Sequence, residues 1–142
     1  MLPKNPTDLS LLLIRIGLGV IFFIHGLQKL GVFNGPGVEN FSLMMESLDF
    51  TPPIVWAYLV SITETVSGLM LILGVLPRIN ATAIAIIALV AMIKVHGPHG
   101  FFVADNGIEF ILLILLTSMA VMLAGGGRYT LIKKTKKHDN SY

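Results

Sequence analysis

The chain contains no cysteine, which excludes disulfides, thiolate catalysis, cysteine-ligated zinc, cysteine-held iron–sulfur clusters and covalently attached haem. Charge is the second scarcity. Only 13% of the 142 residues are Asp, Glu, Lys or Arg, whereas a soluble domain carries about 25%. Hydrophobic residues make up 54%, and the mean hydropathy is +0.81. This balance describes an integral membrane protein in contact with lipid, with room for one small domain and none for a separate soluble one. The net charge of +2 comes from a basic tail and not from a basic face on a folded module, which argues against a nucleic-acid partner.

The apolar residues fall into four runs, predicting an all-α four-helix transmembrane bundle over residues 1–132 followed by a basic tail at 133–142. Residues 1–8 form a polar leader, with Asp8 as the expected cap of a first span over 9–30. No small-residue cleavage site follows that run, so it reads as a retained helix and not as a signal peptide. Residues 38–48, VENFSLMMESL, show helical periodicity with acids at 39 and 46, a short amphipathic helix for the interface. The second span covers 54–76, the third 79–95 and the fourth 108–124, where Gly125, Gly126 and Gly127 stop it. Trp56 and Tyr58 suit an aromatic belt. Alanines at 81, 83, 85, 88 and 91 favour close packing of the third span, and Gly17, Gly19 and Gly26 do so for the first. Such faces also leave room for a homo-oligomer. Lys4, Arg78, Arg128 and the tail lysines share one side, so the positive-inside rule puts both termini in the cytoplasm.

In so apolar a chain the few ionisable groups are informative. Glu64 lies about ten residues into the second span, roughly 15 Å deep. A carboxylate there costs roughly 2.5 kcal/mol or more unless neutral, paired or turned inward. Arg15, about six residues from the other end of the first span, is its expected partner, as a structural ion pair or a proton relay. Arg15, Phe22 and Lys29 recur every seven residues and share one stripe. A second group gathers at the opposite side from the termini: His25, Gln28 and Lys29 end the first span, Lys94, His96 and His99 end the third, and Glu109 starts the fourth. The bland account is that helix ends meet water and the lysines snorkel. The functional account is a ligand or redox pocket at this mouth. One cross-span histidine pair argues against haem, and HGPH lacks helical spacing for a metal, so no metal site is assigned. A quinone needs only hydrogen-bond donors in an apolar slot, which these groups with Phe22, Phe101 and Phe102 would supply.

Four segments together resemble the DoxX family of small bacterial four-helix membrane proteins: RIGLGVIFFIHGLQKL (15–30), SITETVSGLMLILGVLPR (61–78), MIKVHGPHGFF (92–102) and GIEFILLILLTSMAVMLAGGGRYTL (107–131). The resemblance singles out Arg15, Gly26, Lys29, Glu64, Gly74, His96, Glu109 and the glycines at 125–127. Two departures are the run Tyr129-Thr130-Leu131-Ile132, where the family often has serine, leucine and an acid, and the strongly basic tail. The resemblance implies a bacterial inner-membrane component of respiratory or sulfur-linked redox chemistry, with a redox partner protein and quinone as the small molecule. In that frame Glu109, His96 and His25 handle protons. Lys29, Gln28 and Lys94 bind the ligand together with Phe22, Phe101 and Phe102. Two rival expectations stand beside it: an assembly or scaffold protein that binds a partner through its alanine-rich third span, and a small transporter or proton path.

Overall fold

The computed structural model describes residues 6–131, so the leader before Pro6 and the basic tail at 133–142 lie outside the described residues. Five helices are present: α1 (Pro6–Lys29), α2 (Gly37–Ser47), α3 (Pro53–Leu73), α4 (Pro77–Ala91) and α5 (Glu109–Ala124). Prolines set two of the starts. Pro53 and Pro77 stand in the first turns of α3 and α4, where a missing N–H costs nothing. Gly74 ends α3 at φ 74°, and the amides of Gly74 and Val75 turn back to the carbonyls of Leu71 and Met70. That double bond is the Schellman stop, and it needs the left-handed conformation glycine adopts freely.

Three segments are long and apolar enough to cross a membrane: Pro6–Lys29, Pro53–Leu73 and Pro77–His99. The fourth apolar helix, α5, is shorter at 16 residues, or roughly 24 Å against a hydrocarbon core of about 30 Å. The helices alternate in direction. The start of α1, the end of α5 and the α3–α4 link therefore share one side, called here the terminal side. The α1–α3 connection with α2 and the α4–α5 loop share the other, the loop side.

The bundle is made of two helix pairs. α1 packs most extensively on α3, and α4 on α5. The α1–α3 contact is a small-residue seam in which a β-carbon on Gly19 would strike Gly68 and Ile72, and one on Gly26 would strike Thr65 and Ser61. Gly17, expected to help, has nothing near it. The α4–α5 pair uses Ala81, Ala85 and Ala88, all buried. Leu18, Leu71, Ile84 and Val121 close the space between the pairs toward the terminal side. The amphipathic helix sits on the loop side of α3, with Phe41 and Met45 buried against Ala57.

One helix start and one helix end differ from the sequence reading. α1 is already helical at Pro6, so Asp8 lies in its first turn instead of capping it. Its carboxylate accepts the amide of Arg128 at 2.9 Å, tying the segment after α5 to the first turn of α1. The third span leaves α-geometry at Met92, where a π turn runs to His96.

Candidate functional site

The seam between α1 and α3 decides which charges meet. Gly19 lies against Gly68, Gly26 against Ser61 and Thr65, and Arg15 against Gly74. Arg15 is thus level with a residue ten positions beyond Glu64 in α3, roughly 15 Å away along the axis. The expected Arg15–Glu64 pair does not form. Glu64 instead accepts from Lys29 Nζ in a close ion pair. Lys29 sits one turn above Gly26 and reaches inward to the acid instead of snorkelling to water as the bland account had it. Its side chain is 21% exposed and that of Glu64 only 4%. The ammonium also lies over the ring of Phe41, 5.2 Å from its centroid, so α2 helps to hold it.

Arg15 is only 2% exposed and has its own partners. Nη1 donates to the carbonyl of Gly126 at 3.1 Å and Nη2 to that of Tyr129 at 2.7 Å. A β-carbon at Gly74 or Gly126 would lie within 3.0 Å of Nη1, so glycine at both places gives the guanidinium its room. The C-terminal ends of α3 and α5 converge there, and their carbonyl-rich termini favour a cation. Backbone carbonyls thus answer both terminal nitrogens of this buried charge, while its Nε is buried without a hydrogen-bond partner.

Above the Lys29–Glu64 pair, a cavity of about 720 Å³ opens in the loop-side half. His25, Gln28, Lys29, Glu64, Lys94 and His96 all border it, and Phe22 is part of its wall. Six of the expected site residues outside the phenylalanines and Glu109 are therefore brought together, with Glu64 as their acid. Lys94 and His96 project from the π turn, an irregularity frequent at functional sites. The Nδ1–H of His96 donates to the carbonyl of Asn106 at 2.7 Å, which leaves Nε2 of the neutral ring as an acceptor. Most of the remaining wall is apolar, including Phe41, Met45 and Trp56.

Glu109, Phe101 and Phe102 do not border the cavity. The Glu109 carboxylate accepts the amide of Val103 at 2.9 Å and braces the α4–α5 loop on the exposed surface. The same loop is folded on itself by the amides of Gly107, Ile108 and Glu109, which bond back to Phe102, Gly100 and Phe101. Phe101 and Phe102 pack edge to face with each other, half-exposed. Among the described residues, no three His, Asp or Glu side chains come together as a metal site. Sequence reasoning missed Phe41 and Trp56, and also missed the backbone carbonyls that receive Arg15. The heptad stripe carried a usable signal, since Arg15 and Phe22 both face inward and Lys29 continues their line.

Fold and site together define a small multi-pass helical membrane protein with an intramembrane ion pair under an apolar cavity. The DoxX family model matches residues 10–97, and the chain belongs to that family. It is similar to an uncharacterized protein of Haemophilus influenzae, 31% identical over 136 residues that cover 90% of this chain and 86% of that protein. It is also similar to a Bacillus subtilis protein described as "Putative oxidoreductase CatD", 30% identical over 136 residues that cover 94% of each. No solved structure matches the chain.

Proposed function

We propose that the chain is the membrane subunit of a quinone-linked oxidoreductase system and holds the quinone in the loop-side cavity. The observation that carries this reading is the composition of the cavity: an apolar slot of about 720 Å³ with one buried ion pair in its floor and His25, Gln28, Lys94 and His96 around its rim. Pockets of 300–1,000 Å³ with a few convergent polar groups suit drug-sized and cofactor-sized ligands. A quinone ring offers two carbonyl acceptors, and the donors present suit them. Lys29 Nζ would hold one carbonyl near the floor, with the Gln28 amide available to the ring from the rim. His25 or Lys94 would hold the other toward the mouth. Bound there, a quinone supplies two-electron redox chemistry at the membrane, with the electrons exchanged through a partner protein. Glu64 would hold or release a proton as its lysine turns toward the ligand, and His96 Nε2 would accept one at the mouth. The description of the Bacillus subtilis relative as an oxidoreductase supports the reading. On the positive-inside rule the termini would be cytoplasmic and the cavity would lie in the outer half of a bacterial inner membrane.

The scaffold alternative relied on the alanine face of the third span as a partner surface. Ala81, Ala85 and Ala88 are instead buried inside the chain, which favours the ligand reading.

Two measurements test the proposal. A lipid extract of gently purified protein should contain quinone at about one equivalent. Quinone titration should then weaken at least tenfold in Lys29→Met and severalfold in His96→Ala. Unchanged affinity in both variants removes the site.

A further inference from the structure

The α3–α4 hairpin is closed by the short link 74–76 on the terminal side, and farther from that link both helices contribute to the cavity wall. Their facing stripes make this explicit. Leu59, Val60 and Thr63 lie on one face of α3, while Ala83, Ile86 and Val90 lie on one face of α4, and all six border the cavity. Beside that α4 stripe, Ala88 is buried and also borders the cavity, while Ala81 and Ala85 are buried away from it. At the edges of the cleft, Leu59 is 52% and Ile86 59% exposed. In a membrane-spanning bundle such exposure faces acyl chains. Ile86 is nine residues from the start of α4 and Glu64 nine from the end of α3, so both lie roughly 14 Å from the terminal side. The cleft therefore connects the level of the ion pair sideways to lipid. α2 covers the cavity from the loop side, with Phe41, Met44 and Met45 in its wall, an adaptable apolar roof.

We infer that the gap between α3 and α4 is a lateral portal. The ligand of this cavity is a long-chain amphiphile whose polar head rests on Lys29–Glu64 and whose tail leaves between Leu59 and Ile86 into the bilayer. Three features point to that occupant. The polar groups lie at one end of the cavity and at its rim, and the remaining wall is apolar. The cleft gives an apolar tail a route that never crosses water. A compact ring alone would not need the slot that continues down α4 to Ala83. The inference rests on the cavity being a ligand site, as proposed above, and specifies the ligand class and its path.

The experiment uses the full chain in lipid nanodiscs and two probes: a substituted benzoquinone ring without a side chain, and the same ring carrying a decyl chain. Leu59→Trp and Ile86→Trp narrow the portal from the lipid side, and Leu113→Trp, 62% exposed on α5 and outside the cavity, is the control. Losing the burial of about two methylenes is worth roughly tenfold in affinity. The portal variants should weaken the decyl probe by about that factor and leave the bare ring within about twofold, while Leu113→Trp changes neither. Equal loss for both probes, or no loss for either, overturns the portal. Binding of neither probe to the wild type would instead remove the quinone reading. The portal is then read from a phospholipid with a photoactivatable group on its acyl chain. Labelling of peptides from 54–63 and 83–94 above the Leu113 region sustains it, and uniform labelling overturns it.

Discussion

The two halves of the bundle each bury a cation, and they treat it in opposite ways. On the terminal side, Arg15 is surrounded by glycine and answered by the carbonyls of Gly126 and Tyr129. Its hydrogen-bond acceptors are backbone, and the space between the helix pairs is filled by Leu18, Leu71, Ile84 and Val121. On the loop side, Lys29 is answered by a carboxylate and an aromatic ring, and the space above is empty of side chains. Backbone carbonyls cannot be protonated or displaced at modest cost, so the Arg15 arrangement suits a permanent fastening. A lysine–glutamate pair can exchange partners with a ligand. The difference separates a closed half that holds the helices from an open half equipped for chemistry.

That contrast can be broken most sharply at Lys29. Lys29→Met strands the Glu64 carboxylate in an apolar interior and should cost about 3–5 kcal/mol of stability if the acid stays ionised. Denaturant unfolding in mixed micelles measures it, and Lys29→Met with Glu64→Leu should recover most of the loss. Next in size is Arg15→Met, which removes two charge-assisted bonds and should cost about 3 kcal/mol while leaving ligand affinity at the cavity unchanged. An affinity loss there as large as that of Lys29→Met would erase the distinction between the halves. Gly26→Ala drives a β-carbon into Thr65 and should destabilise by about 1–3 kcal/mol. Gly17→Ala, with open space around it, should instead be neutral or stabilising by up to about 1 kcal/mol, as a helical glycine exchanged for alanine. The smallest effect is expected for Glu109→Gln. It should cost about 1 kcal/mol or less through the loop bond to Val103 and leave quinone titration unchanged.

Much of the architecture was legible because hydrophobic periodicity and helix stops are local. The four runs, the amphipathic segment at 38–48 and the glycine stop all correspond to observed elements, within a few residues at their ends. The gathering of His25, Gln28, Lys29, Lys94 and His96 was legible too, from depth along each helix. What depth alone does not encode is the register between helices. That register is set where Gly19 and Gly26 meet Gly68 and Thr65, a contact whose partners are far apart in the chain. Without it, the arginine looked like the natural companion of Glu64, and the lysine looked free to reach water. Glu109 was misplaced for a related reason. Its position at the start of α5 was correct, but the direction of its carboxylate follows from the fold of the 100–109 loop, which no periodic pattern describes.

The fastening of Arg15 has a consequence for how the molecule is made. Its two acceptors are 111 and 114 residues further along the chain. At least 111 further residues must therefore follow Arg15 before α1 finds the first of the groups that neutralise the cost of its arginine in the bilayer. Until then that helix waits, held open by an unanswered guanidinium. A transcript truncated anywhere before the triple glycine would yield a product whose opening segment never settles, and membrane quality control would have a charged residue by which to recognise it.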